Sequence, residues 1–147
     1  MDDVKGLQLY RIWSTRTLSH HGVPTKVLVV DDLLIAAEAL AIALSDPKRA
    51  TRFALSGVEA VNQLSEWTPD VIILDINMPE HDGYQTARVL RRLATTRDVV
   101  LIAFTAQSEA EISLRAVAAG FDAYCQKGNS VSRLIGLIDN FIAEPSK

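Results

Sequence analysis

Five short apolar runs, at 26–30, 51–55, 71–74, 99–104 and 123–125, alternate with longer amphipathic stretches at 34–45, 58–67, 84–93, 109–119 and 131–143. All but the second run are continuous hydrophobe, which suits strands covered on both faces of a parallel sheet. The stretches between them have the length of crossover helices. Breakers fall at the joints: Asp46-Pro47, Ser56-Gly57, Thr68-Pro69, Met78-Pro79, Asp82-Gly83, Gly120 and Gly128-Asn129. Right-handed crossovers place such helices on both faces of the sheet. The alternation therefore predicts an α/β fold: a doubly wound five-stranded parallel sheet with five helices and a crevice at the carboxyl ends of the strands.

Length and composition narrow the function classes. The chain has 147 residues, enough for one domain with a sizeable core, and 48% hydrophobic against 22% charged residues excludes a disordered chain. A formal net charge of -3 offers no basic field for nucleic acid, and no basic helix stands out. Apolar runs stop short of a membrane span, the longest being broken by Glu38. The start does not read as a secretory leader, since Asp2 and Asp3 replace a basic region and Lys5, Arg11 and Arg16 interrupt any apolar core. The single cysteine, Cys125, has no disulfide partner and reads as a buried small hydrophobe. A water-soluble, cytoplasmic protein is the expectation.

Residues 1–25 stand outside the alternation. Leu9, Ile12 and Trp13 predict one apolar stripe of a short helix, and 19–24 reads as a linker, leaving 26–143 as the domain and 144–147 as a tail. The first helical stretch is nearly all apolar. With Ala36, Ala39, Leu40, Ala43 and Leu44 toward the sheet, Leu34, Ala37, Glu38, Ala41 and Ile42 face outward, and such a surface wants a cover. The candidate covers are a partner protein, the chain's own Leu9, Ile12 and Trp13, or a second copy, so the oligomeric state stays open.

Chemistry gathers where the runs end. Asp31 and Asp32 follow the first, Asp75 the third, Thr105 the fourth, and Lys127 lies two residues past the fifth. In a parallel sheet three carboxylates would meet at one edge, where repulsion demands a proton or a divalent cation, and Mg2+ suits an all-oxygen set. Asp75, at the end of a buried strand, suits a nucleophile that attacks a phosphoryl group, with Lys127 and Thr105 as a charge and a hydroxyl donor for the phosphoryl oxygens. Each residue alone has an ordinary reading as a cap or strand end. Their joint placement at separate strand ends is what argues for a site. His20, His21 and His81 lack metal-ligand spacing and read as solvated loop residues.

The stretch Asp75-Ile76-Asn77-Met78-Pro79-Glu80-His81-Asp82-Gly83, the Asp31-Asp32 pair, Phe104-Thr105-Ala106 and Tyr124-Cys125-Gln126-Lys127 together resemble the receiver domain of two-component response regulators, over roughly four fifths of the chain. The resemblance implies a flavodoxin-like strand order 2-1-3-4-5 and a phosphoryl acceptor at Asp75. It implies Mg2+ held by Asp31, Asp32, Asp75 and the main-chain carbonyl of Asn77. Lys127 would pair with the phosphoryl group, and Asn77 and Gln107 would tune how fast water removes it. Thr105 would move toward the phosphate while Tyr124 turns inward, reshaping the surface of the fourth helix, fifth strand and fifth helix for a downstream protein. The donor would be a histidine kinase or a histidine phosphotransfer protein, docking on the first helix at Leu34 and Ile42.

One departure concerns the residue after Lys127. The family usually has a proline there, often in a cis bond, whereas Gly128 stands here, and a cis bond without proline costs about 2.5 to 4 kcal/mol. A trans Lys127–Gly128 bond, or a mixture, is expected. No effector domain follows 143 in these 147 residues, so a stand-alone receiver is the primary reading. A receiver from a hybrid histidine kinase and a binding-only receiver independent of phosphate are the rivals. A phosphatase of the haloacid dehalogenase type would want an acid where Asn77 stands.

Overall fold

A computed structural model describes residues 9–18, 24–78 and 82–142. His20, His21 and His81, most of the expected linker and the tail lie outside the described residues. The elements are β1 (Tyr10–Ile12), β2 (Thr25–Val30), α1 (Leu34–Leu44), β3 (Arg49–Ala54), α2 (Gly57–Gln63), β4 (Val71–Leu74), α3 (Gly83–Arg92), β5 (Val100–Thr105), α4 (Glu109–Ala119), β6 (Ala123–Gln126) and α5 (Val131–Asn140). They build one sheet in the order β1-β6-β5-β4-β2-β3. The five strands β2 to β6 are mutually parallel and carry the expected 2-1-3-4-5 order. To these the chain adds β1, antiparallel to β6.

Both faces of the parallel strands are covered, which is why their sequences show no alternation. Leu28, Val30, Ile72, Leu74, Leu101, Ala103 and Tyr124 point to one layer, where they meet Ala60 of α2, Ala87 and Leu90 of α3, and Ile112 and Ala116 of α4. Their neighbours Val27, Val29, Val71, Ile73, Val100, Ile102, Ala123 and Cys125 meet Ala41 and Leu44 of α1 and Leu134, Leu137 and Ile138 of α5 on the other. Strand periodicity of two thus divides one apolar run between two cores.

The helices start where side chains can satisfy their free amides. Ser56, Asp82, Ser108 and Ser130 each accept a bond from the backbone amide three residues on, and Glu111 returns the bond to Ser108 in a capping box. Gly120 closes α4 with a φ of 105°, a left-handed conformation that suits glycine.

Two expectations are corrected. The stripe of Leu9, Ile12 and Trp13 is not a helix: Tyr10, Arg11 and Ile12 pair with Cys125, Tyr124 and Ala123. A helix this short gains little in water, whereas the edge of β6 offers unpaired backbone groups to any extended segment. In α1, Ala37 and Ala41 face the sheet with Leu44, while Ala39 and Ala43 are exposed and Ala36 is half-buried. Leu40 is half-buried against the core, and Leu34 and Ile42 face outward as expected. Alanine at so many positions gave no contrast from which to choose the buried face.

Candidate functional site

The carboxyl ends of β2, β4, β5 and β6 lie side by side, and the sheet's own hydrogen bonding carries the acids past the last strand residues. The Asp31 amide donates to the Ala54 carbonyl at 3.1 Å, and the Asp75 amide to the Val30 carbonyl at 3.0 Å. Both acids therefore ride on the rigid ladder rather than on a loop. Carboxylate oxygens of Asp31, Asp32 and Asp75 all lie within 4.8 Å of one another, the first and third buried and the second half-buried. The Asn77 amide donates to Asp75 Oδ1 at 3.1 Å and the Leu33 amide to Asp31 Oδ1 at 3.0 Å, which fixes the two side chains.

One ammonium enters this cluster. Lys127 Nζ donates to Asp31 Oδ2 at 2.9 Å and to Asp75 Oδ2 at 3.1 Å. The Lys127 amide donates to the Thr105 carbonyl at 2.8 Å, anchoring the backbone from which the side chain reaches. The Lys127–Gly128 bond is trans, and the turn is made by a φ of 98° at Gly128 instead of by a cis bond. Nothing lies within 4 Å of where a Gly128 Cβ would stand, so the glycine serves conformation and not close packing.

Electrostatics follow from burial and pairing. Burial pushes the Asp75 carboxyl above its ordinary range, against the lowering effect of Lys127 and of the Asn77 amide. Burial alone would lower the Lys127 ammonium, but the hydrogen bond to Asp31 and the charges of Asp75 and Asp31 outweigh it, and the net shift is upward. Lys127 thus stays protonated. Three carboxylates against one ammonium leave excess negative charge in a half-dry pocket, and the donors are all oxygen. That combination fits a hard divalent cation.

A relay of polar contacts leads away from the pocket. Asn77 Nδ2 lies 3.4 Å from Thr105 Oγ1, which also accepts from the Gln107 amide at 3.3 Å. The Tyr124 hydroxyl donates to the Gln107 carbonyl at 2.7 Å, with the ring 0% exposed. Tyr124 is therefore not in the pocket but one residue removed from its edge. Leu34 and Ile42 lie on α1, 51% and 69% exposed; Leu33 and Ile35 extend the apolar surface beside the acids, Ile35 at 84%.

Sequence reasoning gave Gly83 only a turn, and missed the role of Asp122. A Cβ on Gly83 would stand 2.5 Å from the Asp75 carbonyl and 2.7 Å from the Ile76 Cα, so only glycine lets α3 start against the Asp75–Ile76 backbone. Asp122, 2% exposed, gathers Arg91, Arg16, Ser14 and the Leu101 amide. The turn pair Asp82-Gly83 was the visible signal for the first. For the second, the only hint was an acid between Phe121 and Ala123 in an otherwise apolar stretch.

A doubly wound parallel sheet with an acidic, lysine-bridged pocket at its switch point defines a flavodoxin-like α/β domain whose three acids could hold a metal ion. Residues 27–139 match the response regulator receiver domain, and the chain belongs to that family. It is 32% identical over 113 residues to the response regulator MprA of Mycobacterium sp. (strain KMS), covering 77% of this chain and 48% of that protein. It is 34% identical over 110 residues to a protein-glutamate methylesterase/protein-glutamine glutaminase of Syntrophus aciditrophicus, covering 74% of this chain and 31% of the relative. The chain thus spans half or less of the length of these curated relatives. Among solved structures, the receiver domain of a signal transduction histidine kinase from Syntrophus aciditrophicus has a TM-score of 0.71 at 31% identity, covering 80% of this chain and 89% of that one. The chemotaxis protein CheY4 of Vibrio cholerae has a TM-score of 0.76 at 24% identity, covering 80% and 98%, a likeness of fold. Among the described residues, no helix is long and apolar enough to cross a membrane.

Proposed function

We propose that this chain is the phosphoryl-accepting receiver of a two-component phosphorelay, working in the cytoplasm, with Asp75 as acceptor and 26–143 as the receiver. The observation that carries the reading is the Asp75 carboxylate, held by the Asn77 amide at 3.1 Å and by Lys127 at 3.1 Å inside the cluster of three acids. Asp31, Asp32, Asp75 and the Asn77 carbonyl would hold Mg2+, which supplies charge neutralisation for the approaching phosphoryl group.

The chain's own groups do the rest. A carboxylate oxygen of Asp75 forms a bond to phosphorus as the phosphorus–nitrogen bond of a phosphohistidine donor breaks; the electron pair stays on the imidazole, which takes up a proton. Lys127, now shared between two carboxylates, is placed to pair with a phosphoryl oxygen. Thr105 Oγ1 already accepts from Asn77 and Gln107, so its proton is the part of the hydroxyl left to donate. Its movement would act on Tyr124 through Gln107 and change the surface of α4, β6 and α5 presented to a downstream protein. Incoming donors would dock on the exposed α1 residues Leu34 and Ile42, and this reading assigns no nucleic acid or membrane as a partner.

Phosphotransfer from a set of labelled histidine kinases and histidine phosphotransfer proteins tests this reading. One donor should transfer rapidly and the Leu34→Ser, Ile42→Ser variant should receive more slowly, while a small-molecule phosphodonor serves both equally. Equal loss with both kinds of donor defeats the docking surface.

A further inference from the structure

The arm that precedes the family match brings an aromatic ring against the residue proposed to switch. Trp13 stacks on Tyr124, with ring centroids 6.3 Å apart and planes inclined by 29°. The arm is tied down on both sides of that ring. Before it, β1 pairs with β6, and the Gln126 amide donates to the Leu9 carbonyl at 2.9 Å. At and after it, the Trp13 amide donates to the Asp122 carbonyl at 2.8 Å, Ser14 Oγ and Arg16 Nε donate to Asp122 Oδ1 at 2.7 and 3.0 Å, and the Leu18 amide donates to the Phe141 carbonyl.

From the Trp13 ring a continuous series of contacts reaches the acceptor. Tyr124 donates to Gln107, Gln107 to Thr105, Asn77 to Thr105 by its side chain, and Asn77 to Asp75 by its amide. We propose that Trp13 is a positioning residue for the receiver: its stacking holds the Tyr124 ring inward and so favours the conformation that binds a phosphoryl group at Asp75. The inference rests on the function proposed above.

The physical argument is one of differential contact. The stack is made with the Tyr124 ring fully buried, and a ring turned outward would leave Trp13 behind, so the stacking energy would be added to the inward conformation and shift the populations toward it. Linkage makes the effect reciprocal: an anion bound at Asp75 tightens the arm by the factor by which the arm tightens the anion.

Calorimetric titration with beryllofluoride in saturating Mg2+ tests this on the full chain, comparing wild type, Trp13→Ala and Trp13→Phe, with melting temperature recorded beside it. Trp13→Ala should weaken binding by roughly 2- to 10-fold, the range a single aromatic pair supplies, and Trp13→Phe should restore it to within about twofold. Ser14→Ala, which loosens the arm at Asp122 without touching the ring, should weaken binding in the same direction and provides the comparison if Trp13→Ala does not fold. Unchanged affinity in the variants, with only the melting temperature lowered, overturns the positioning role. Wild-type protein that does not bind the analogue overturns the receiver reading itself, an outcome distinguishable from the first.

Discussion

Lys127 Nζ lies 3.1 Å from Asp75 Oδ2, an ion pair at the proposed phosphoryl acceptor. The same ammonium also holds Asp31 at 2.9 Å, so under the proposed function it would meet both the ligands of the cation and an oxygen of the phosphoryl group. Its two roles pull in opposite directions when it is removed.

Lys127→Ala should therefore slow phosphoryl acceptance and tighten divalent cation binding. Losing a preorganised charge donor costs about 10²- to 10³-fold in rate, whereas three acids without their ammonium attract Mg2+ more strongly. Phosphorylation kinetics with a small-molecule donor and calorimetric Mg2+ titration read the two effects separately.

Mg2+ should stabilise the fold and a chelator should reverse the gain. At a concentration of 100 times its dissociation constant the ion adds about 2.7 kcal/mol, visible as a rise in Tm. Asp32 is the least buried of the three acids, so Asp32→Asn should leave the metal-free protein folded and reduce Mg2+ affinity by roughly tenfold or more.

Asp122→Ala should destabilise the protein by about 3 to 5 kcal/mol in urea unfolding, because Arg91 would keep its charge in a half-dry site without a partner. Burial already lowers the Arg91 guanidinium against the raising effect of Asp122. Loss of the Arg16 and Ser14 contacts should free the arm in the same variant.

Stability should fall at alkaline pH. Burial pushes the Cys125 thiol up to about 11 and the Tyr124 phenol up to about 12. Each group holds its proton more tightly folded than unfolded, so its contribution is complete below the unfolded value, near 9 for the thiol and 10 for the phenol, and is lost as pH rises through the folded one. Chemical denaturation between about pH 9 and about pH 12, the window these groups set, should show the decline, and Cys125→Ala should remove its lower part.

The parallel sheet and the acidic pocket were legible because four of the five apolar runs are followed, at once or two residues on, by a residue of fixed chemistry. Asp31, Asp75, Thr105 and Lys127 needed only the strand order to bring them together. The arm was not legible: pairing three residues to an edge is decided by the edge of β6, which local sequence does not announce. Nor was the Asp122 cluster, whose partners Ser14, Arg16 and Arg91 come from two distant segments. In α1 the alanines erased the contrast that ordinarily reveals a buried face.

Mass spectrometry of the intact chain after incubation with acetyl phosphate and Mg2+ asks whether Asp75 accepts a phosphoryl group. The wild-type protein should gain one phosphoryl group that is labile to base, absent without the cation and absent in Asp75→Asn. A gain that persists in Asp75→Asn, or no gain in the wild-type protein, would contradict acceptance at Asp75.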